Sequence, residues 1–471
     1  MTTTAPNLVQ GRCWRQADMA RELATLCYFE RASAHILAGW LPKVADIDIK
    51  LRMGLDQYSS MDHAARLHRS VAAMARRHGD HDWSVPTGWV EAMKSIDGSS
   101  TVGELLVQLY LVVKQHQIDR GHIVLANADR NLDFHRVEIV ESLCRAAEAQ
   151  VAWAREAVTA ISSEAALGEI RDDFYRKHWW GRHTDERITA EQWLWLPLDR
   201  APRAARPDHM RSATPGQMKP RGYRNDQADH VVMSFHGNVD DEITTMELFG
   251  RCSYEHPDMP FAFHHAMARQ VADESRHATA CIDICRHHGV EYGRWDVCDV
   301  STYVYDFNYE YDGCEPGSKR ELLWRLLIRS TFQEALSLDG FELVIKKREF
   351  YGQEYLVRAM EAILADEVFH VQSGIRWSRY LCDGDEETIR REREAAHAFY
   401  VRSITERRDA FVQAHPETAL AELEEMEKMG QYEINLYPFQ LEVRLNRTAR
   451  QEAGFTEEDM QQVIDWGYAL P

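Results

Sequence analysis

The amino-acid sequence predicts an all-α protein. Three observations support this fold class. Hydrophobic residues recur at helical spacing in long stretches of the 471 residues, and stretches with strand-like alternation are few. Glycine and proline fall mainly between the periodic stretches, as at Pro257, Pro260 and Gly352. The hydrophobic fraction of 45% is enough for a buried core, and the length predicts two to four domains, or two large ones.

Nine stretches have the helical period and no internal proline. The predicted helices span residues 21–41, 63–78, 102–117, 136–163, 236–255, 261–288, 320–350, 354–380 and 386–414. The turns that separate the later helices contain His256–Pro260 and Tyr351–Gln353. We therefore expect two helical hairpins, one on each side of residue 300.

A proline-rich basic segment interrupts the helical pattern. Five of the 14 prolines lie between residues 197 and 220, together with seven arginines and lysines between 200 and 224. Proline disfavours helix here, so the segment is predicted to be a linker. Its basic side chains would dock on an acidic surface of the chain or bind an anionic substrate or partner. The predicted domains are 1–195 (helical, without a metal site), 196–225 (linker), 226–415 (dimetal domain) and 416–471 (helical extension).

The charge and the cysteines restrict the classes of function. With 55 Lys+Arg and 75 Asp+Glu the formal charge is −20, which argues against nucleic-acid binding. No apolar run reaches the length of a membrane span, and residues 1–10 lack the layout of a signal peptide. The nine cysteines include no Cys-x-x-Cys pair, which favours a reducing compartment. We expect a cytoplasmic protein that does not enter a membrane.

Two segments repeat almost the same motif: Ala272-Asp-Glu-Ser-Arg-His277 and Ala365-Asp-Glu-Val-Phe-His370. Each places a glutamate and a histidine three residues apart, on one face of a helix. Carboxylate-bridged dimetal bundles use this Glu-x-x-His arrangement. With 41 Glu and 22 His, composition alone supplies about two such pairs, so the motif by itself is weak evidence. A third pair, Glu394–His397, lies in a charge-rich stretch typical of an exposed helix face.

The position of the motifs adds evidence. In an antiparallel hairpin, the residue level with Glu274 is its reflection through the turn at residue 258, and that residue is Glu242. Reflection of Glu367 through residue 352 gives position 337, which leaves Glu334, Asp339 and Glu342 as candidates.

The spacing between the two hairpins favours one of these candidates. Glu242 and Glu334 are 92 residues apart, and Glu274 and Glu367 are 93 apart. Glu247 and Asp339 also lie 92 apart. However, Glu247 is five residues from position 242, the position level with Glu274, which is a mismatch of about 7.5 Å along a helix.

The predicted metal ligands are therefore Glu242, Glu274, His277, Glu334, Glu367 and His370. Asp273 and Asp366 precede the motif glutamates and can accept the remaining N–H of a ligating histidine across the bundle. The alternative is that all these side chains lie on solvated helix faces and bind nothing.

Residues 230–380 resemble the ferritin-like superfamily of non-haem dimetal (di-iron) carboxylate proteins, in its tandem Glu-x-x-His form. Asp273-Glu-Ser-Arg-His277 is similar to the Asp-Glu-x-Arg-His signature of bacterial multicomponent monooxygenases and ribonucleotide reductases. The resemblance implies a ferritin-like four-helix bundle in which the six predicted ligands hold two iron ions, with no catalytic side chain beyond them. Nitrogen and oxygen ligands also accept Mn/Fe or Mn/Mn pairs.

This sequence departs from the monooxygenase pattern in two places. Phe369 stands where the second motif of those enzymes has arginine, and Leu338 stands where they often have threonine. The N-terminal domain contains Glu30 and Asp62 at the same 32-residue interval as Glu242 and Glu274, but it has no Glu-x-x-His. It is expected to be a degenerate second bundle with a structural or dimer-forming role.

The resemblance implies a dioxygen-activating di-iron oxidase or oxygenase that hydroxylates, desaturates or N-oxygenates a small organic substrate. Its partners would be that substrate, dioxygen and an external electron donor, and a homodimer is compatible with it. The first alternative is a ferroxidase or peroxide-scavenging ferritin-like protein. The second alternative is a metal-free helical interaction protein.

Overall fold

The computed structural model describes residues 13–78, 84–161, 163–178, 186–189, 193–199, 204–210, 212–213, 227–295, 297–298, 311, 313–350, 352–414, 416 and 444–467. Most of these residues are helical, and the strands are two residues long. The all-α prediction is confirmed. None of the helices in these ranges is long and apolar enough to cross a membrane.

The chain divides into two compact units. The first unit consists of Met1–Val44, Asp48–Arg200 and Ser253–Ala272, and the second consists of Ala45–Ile47, Ala201–Cys252 and Asp273–Pro471. The first unit differs from the predicted N-terminal domain because it includes residues 253–272. In that unit Tyr254 Oη donates to Asp97 Oδ2 at 2.7 Å, and the Leu198 N–H donates to Tyr254 Oη at 3.1 Å.

The first unit is built from long helices. They are α1 (Gln16–Trp40), α2 (Ile47–His78), α3 (Thr87–Asp97), α4 (Val102–Leu105), α5 (Gln115–Asn127), α6 (Phe134–Ile161) and α7 (Glu164–His178). A π-helical segment, Leu106–Lys114, joins α4 to α5, and a short 3₁₀ turn, Leu41–Lys43, follows α1. Strands β1 (Val85–Pro86) and β2 (Arg187–Ile188) pair antiparallel, with Val85 opposite Ile188.

The second unit is also helical. Its elements are α8 (Gln227–Glu255), α9 (Phe261–His287), α10 (Lys319–Leu326), α11 (Glu334–Phe350), α12 (Glu354–Leu381), α13 (Glu386–Ala414), α14 (Arg447–Glu452) and α15 (Glu457–Asp465). The last residues of α8, 253–255, and the first part of α9, 261–272, belong to the first unit. A second π-helical segment, Leu327–Gln333, joins α10 to α11. Strands β3 (Ser212–Ala213) and β4 (Val297–Cys298) pair in parallel.

The predicted helices are all present, with differences at their ends. The turns between α8 and α9 and between α11 and α12 fall where the sequence placed them. Helix α2 begins at Ile47 rather than at residue 63, and α3, α7, α14 and α15 were missed as individual helices. Side-chain caps mark three helix starts, of which only the one after Thr456 was not predicted from periodicity. Thr101, Ser318 and Thr456 each accept a hydrogen bond from a backbone N–H in the first turn.

In the second unit, α12 crosses the second π-helical segment at a short distance. A Cβ atom added at Gly374 would lie 2.3 Å from Ser330 Cβ, so only glycine permits this approach of α12 to the second π-helical segment. Gly374 lies one turn after His370, and Ser330 lies one turn before Glu334. The crossing therefore brings the two predicted ligands to the same level.

The predicted linker lies partly outside the described residues, which include 196–199, 204–210 and 212–213 of it. Within that part Arg206 is buried, and its Nη1 donates to Glu247 Oε1 at 2.8 Å. This arginine therefore docks on a carboxylate of the second unit itself.

Candidate metal centre

The six predicted ligands converge in the interior of the second unit. Helix α8 supplies Glu242, α9 supplies Glu274 and His277, α11 begins with Glu334, and α12 supplies Glu367 and His370. The Glu242 side chain keeps 12% of its exposure, and the other five keep 6% or less. Four helices thus deliver four carboxylates and two imidazoles to one buried place.

The His277 imidazole faces three of the glutamates through one ring nitrogen. Nδ1 lies 3.2 Å from Glu274 Oε2, 3.6 Å from Glu242 Oε2 and 3.9 Å from Glu367 Oε1. Single oxygens of Glu242 and Glu274 and a nitrogen of His277 lie within 4.8 Å of one another, which is close enough for one metal ion to bind all three.

The His370 imidazole repeats this arrangement. Its Nδ1 lies 3.4 Å from Glu274 Oε1, 3.5 Å from Glu367 Oε2 and 3.7 Å from Glu334 Oε2. Glu274, Glu334 and His370 form the second group that could hold an ion. Because Glu274 and Glu367 each present one oxygen to each imidazole, the two groups are joined through shared carboxylates.

The outer nitrogens of the imidazoles bind the two aspartates crosswise. His277 Nε2 lies 3.2 Å from Asp366 Oδ2, and His370 Nε2 lies 3.3 Å from Asp273 Oδ2. An Nε2–H that donates to aspartate fixes the ring and leaves the Nδ1 lone pair for a metal. The aspartates therefore lie where the sequence placed them, each paired with the histidine of the opposite motif.

One arginine connects both outer aspartates. Arg276 Nη2 donates to Asp273 Oδ1 at 2.5 Å and to Asp366 Oδ2 at 2.8 Å, while the Arg276 side chain is 49% exposed. A single guanidinium serves both motifs, and this accounts for Phe369 at the equivalent place in the second motif. The departure from the monooxygenase pattern thus leaves neither aspartate without its arginine.

A second arginine was not predicted from the sequence. Arg329, in the second π-helical segment, donates to Asp241 at 2.8 and 3.1 Å, and its Nε lies 3.4 Å from Glu334 Oε1. Its side chain is only 6% exposed. Periodicity gave no signal for it, since a basic residue on a buried face is indistinguishable in the sequence from one on a solvated face.

Burial and the neighbouring charges shift the pKa values of the centre. Burial, reinforced by nearby carboxylates, raises the pKa of Glu334 to about 8 and that of Glu274 well above its usual range. Burial opposes charge on His277 and His370, yet their carboxylate partners raise both imidazole pKa values well above normal. The Asp366 carboxyl is also partly buried, but bonds from His277 and Arg276 lower its pKa to about 2.

The donor set fits a pair of divalent metal ions. Glu274 Oε1, Glu367 Oε2 and His370 Nδ1 are buried and form no hydrogen bond. Such polar atoms are costly to bury unless they are bound, and all three belong to predicted ligands. Carboxylate oxygen and imidazole nitrogen are ligands for iron, manganese and zinc.

The competing acidic candidates have other partners. Asp339 accepts bonds from Arg450 Nε at 3.1 Å and Nη2 at 2.6 Å, and Glu247 is bound by Arg206. The Glu342 side chain lies outside the described residues. The third Glu-x-x-His pair is separate from the centre: Glu394 is exposed, and the His397 ring stacks on Trp466 at 3.7 Å.

The first unit has a buried charge cluster of a different kind. Lys114 Nζ donates to Glu30 Oε2 at 2.8 Å and to Ser60 Oγ at 2.9 Å, and both ionic side chains are at most 2% exposed. The residue that sequence spacing paired with Glu30 was Asp62. Asp62 is instead 34% exposed and lies near Arg66 and His265, because Ser60 occupies the inward-facing position of α2.

The fold and the site together define an all-α protein with a buried centre of four glutamates and two histidines. The model of the family described as protein of unknown function (DUF455) matches residues 170–461, more than half of the chain, and the chain belongs to this family. The matched region contains all six residues of the centre. No curated protein and no solved structure matches the chain.

Proposed function

We propose that the protein is a ferritin-like, non-haem di-iron oxidase or oxygenase that activates dioxygen and oxidises a small organic substrate. The observation that carries this proposal is the pair of overlapping ligand groups, which share Glu274 and come from four helices. Two Glu-x-x-His helices and two single-glutamate helices are the arrangement that dimetal carboxylate bundles use.

The charge balance supports two divalent ions. Four ionised glutamates would place four negative charges where exposure is small, and after burial itself the repulsion between these carboxylates raises the Glu274 and Glu334 pKa values. Two divalent cations would balance those four charges. In this assignment Glu242 and His277 would hold one ion and Glu334 and His370 the other, with Glu274 and Glu367, which face both imidazoles, available to either.

Two iron ions, when bound, would supply the electrons that reduce dioxygen. The residues of this chain would do the rest. Asp366 and Asp273 hold the imidazoles by Nε2, and Arg276 holds both aspartates in place. Met246, Phe249 and Leu338, which follow the single glutamates along α8 and α11, are fully buried, and buried apolar side chains of this kind keep bulk water from a strong oxidant.

Glu242 marks the most accessible edge of the centre. Its side chain keeps 12% exposure, against 1% for Glu274 and none for His370. A carboxylate that reaches solvent can also exchange protons with it. We therefore infer that dioxygen and substrate approach from the Glu242 side.

The first experiment counts metal. Wild-type protein reconstituted without oxygen should bind about two equivalents of iron, and Glu274→Ala and His370→Ala should each bind less than one. Glu394→Ala, which alters the third Glu-x-x-His pair, is the matched control and should keep two. Helical circular dichroism verifies that every variant is folded. Two equivalents retained by both ligand variants would refute the ligand set, and a wild type without metal would indicate the metal-free alternative.

The second experiment separates oxygenase from iron storage. The di-ferrous protein should consume dioxygen and, with a reductant, convert a member of a substrate panel into a hydroxylated, desaturated or N-oxygenated product. Continuous oxidation of added ferrous ion by dioxygen or by peroxide, which is reduced to water, with a ferric mineral as the product, would identify the ferroxidase or peroxide-scavenging alternative. Consumption of neither dioxygen nor peroxide by the loaded protein would overturn both.

A further inference from the structure

The two carboxylate oxygens of Glu334 have different neighbours. Oε1 lies 3.4 Å from the Nε of Arg329, whose side chain is only 6% exposed. Oε2 lies 3.7 Å from His370 Nδ1, the ring nitrogen that faces the glutamates. One oxygen of this predicted ligand is therefore in an ion pair with a buried guanidinium, and the other oxygen is beside the imidazole that would share its metal ion.

The second π-helical segment brings Arg329 to Glu334. The Glu334 N–H donates to the Arg329 carbonyl, which is the five-residue hydrogen bond of a π-helix. Residues joined in this way lie one above the other, whereas residues five apart in an α-helix differ by about 140° around the axis. The Arg329 side chain thus reaches the Glu334 carboxylate because this part of the helix is not α-helical.

Asp241 holds the other end of the arginine. Its two oxygens accept hydrogen bonds from Arg329 Nη2 at 2.8 Å and from Nη1 at 3.1 Å. Such a two-bond pair fixes the orientation of the guanidinium, and Nε is the nitrogen that then approaches Glu334. Asp241 precedes Glu242 on α8 and its side chain is 33% exposed, so the pair lies beside the most accessible edge of the centre.

The corresponding glutamate on α8 has different surroundings. Arg329 stands five residues before Glu334, and the residue five before Glu242 is Gly237. Within the part of the chain that the structure describes, Glu242 forms an ion pair with the His277 imidazole and with no arginine or lysine. Neither oxygen of Glu242 is therefore held by a guanidinium, and the two halves of the centre are unequal.

We infer that Arg329 is a positioning residue that restricts Glu334 to one metal-binding oxygen, Oε2, and so keeps a coordination position open to a small anion from solution. A carboxylate that binds through one oxygen occupies one position of a metal ion, and one that binds through both occupies two. The open position belongs to the ion at Glu334 and His370. This inference rests on the dimetal centre of the proposed function.

Co²⁺ and azide are the probes. Nitrogen and oxygen ligands accept Co²⁺, and its visible absorption weakens as its coordination number rises. Wild-type protein loaded with two equivalents of Co²⁺ should bind one azide, with a saturable change in that absorption. Arg329→Met would let both oxygens of Glu334 bind the ion. Its absorption before azide is added should therefore be weaker than that of wild type, and its affinity for azide should fall at least about tenfold.

A double variant separates this role from the effects of charge and folding. Arg329→Met/Asp241→Asn removes both members of the ion pair, so the net charge of the site equals that of wild type and Asp241 is not left without its partner. It should show the same weak absorption and the same loss of azide affinity as Arg329→Met. Asp241→Asn alone keeps Arg329 beside Glu334, and it should bind azide as wild type does. Helical circular dichroism verifies that each variant is folded.

The possible failures can be told apart. Wild-type absorption and azide affinity in the double variant would overturn the role of Arg329, and so would a wild type that binds two Co²⁺ ions but no azide. A wild type that binds no Co²⁺ would instead overturn the dimetal centre of the proposed function, and this inference with it.

Discussion

The two units differ in how they neutralise their most buried carboxylates. In the second unit Glu242, Glu274, Glu334 and Glu367 surround two imidazoles, and three buried polar atoms there have no hydrogen-bond partner. In the first unit the buried Glu30 binds Lys114, which also binds Ser60. The first unit therefore carries its own cation, and the second is suited to take cations from solution.

In both units a π-helical segment positions the charged residue, Lys114 in the first and Glu334 in the second. The first π-helical segment ends at Lys114, and the second ends at Gln333, directly before Glu334. π-Helical turns are rare in proteins, and those that occur are often found at functional sites. In one unit the segment positions a lysine, and in the other it positions a carboxylate. A change of residue type, within similar backbone, thus separates a structural core from a candidate metal centre.

The largest expected effect is the loss of stability when Lys114, the counter-charge of Glu30 in the first unit, is removed. Lys114→Met would leave Glu30 buried without a counter-charge, and the free energy of unfolding should fall by about 3–5 kcal/mol. Chemical denaturation followed by helical circular dichroism measures the loss. Lys177→Met, at an exposed ion pair with Asp173, should stay within about 0.5 kcal/mol of wild type.

The double variant Glu30→Gln/Lys114→Met should recover part of that loss, because it removes both charges. A loss below about 1 kcal/mol in Lys114→Met would show that the buried pair is not what holds this core, and the contrast between the units would disappear.

Metal should stabilise one unit selectively. Mn²⁺ at 100 times its Kd should stabilise the second unit by about 2.7 kcal/mol, which corresponds to roughly 100-fold slower exchange of amides that open only with that unit. Hydrogen exchange read out by mass spectrometry should show this for residues 273–287 and for α12, and no change for α1 and α2. Equal protection in both units would contradict the assignment of metal to the second unit alone.

Acid should act on the first unit through buried neutral histidines. Burial first, then nearby positive groups, lower the pKa of His35 to about 3, and burial and Arg31 lower that of His264 to about 3. The unfolded state has a histidine pKa of about 6.5, so below that pH it binds more protons than the folded state and stability falls as pH falls toward 3. From pH 7 to pH 5 we expect a loss of about 2 kcal/mol per histidine.

His35→Phe should flatten this pH dependence in denaturation series at pH 5, 6 and 7, and His122→Phe, at an exposed histidine, should not. An identical slope in His35→Phe and wild type would show that His35 does not carry the effect.

The smallest effect concerns the arginine that joins the outer aspartates. Arg276→Gln should weaken metal affinity by about 10- to 100-fold, since the aspartates orient the histidines, while two equivalents still bind at saturation. Competition with a chelator measures the affinity. Arg379→Gln, at an exposed arginine of α12, is the control.

Phe369→Arg in the Arg276→Gln background should recover affinity, because position 369 stands to Asp366 as position 276 stands to Asp273. Recovery would support a positioning role, and full affinity in Arg276→Gln alone would exclude it.

Spacing along the sequence predicted the parts of the site that depend on helix geometry. Reflection through a turn found Glu242, and the 92-residue interval chose Glu334 over Asp339, because antiparallel helices of fixed rise place residues at calculable heights. The outer aspartates followed from their position beside the glutamates.

The features that could not be predicted from the sequence are those that depend on contacts between distant residues. The burial of Lys114 and Arg329, the sharing of Arg276 by both motifs and the choice of Ser60 over Asp62 are set by which helix faces meet. The π-helical segments also have no signature in the periodicity, and they shift the register by which inward-facing residues are counted. The ion pair of Arg450 with Asp339 joins residues that are 111 apart in the sequence.

The buried Lys114–Glu30 pair also has a consequence for protein that is made when iron is scarce. The ammonium of Lys114 is part of the polypeptide, so the buried Glu30 has its counter-charge without any ion from solution. The centre of the second unit would wait for ions. Protein produced by iron-starved cells should therefore be digested by proteases within the second unit while the first unit resists, and iron added before digestion should protect both.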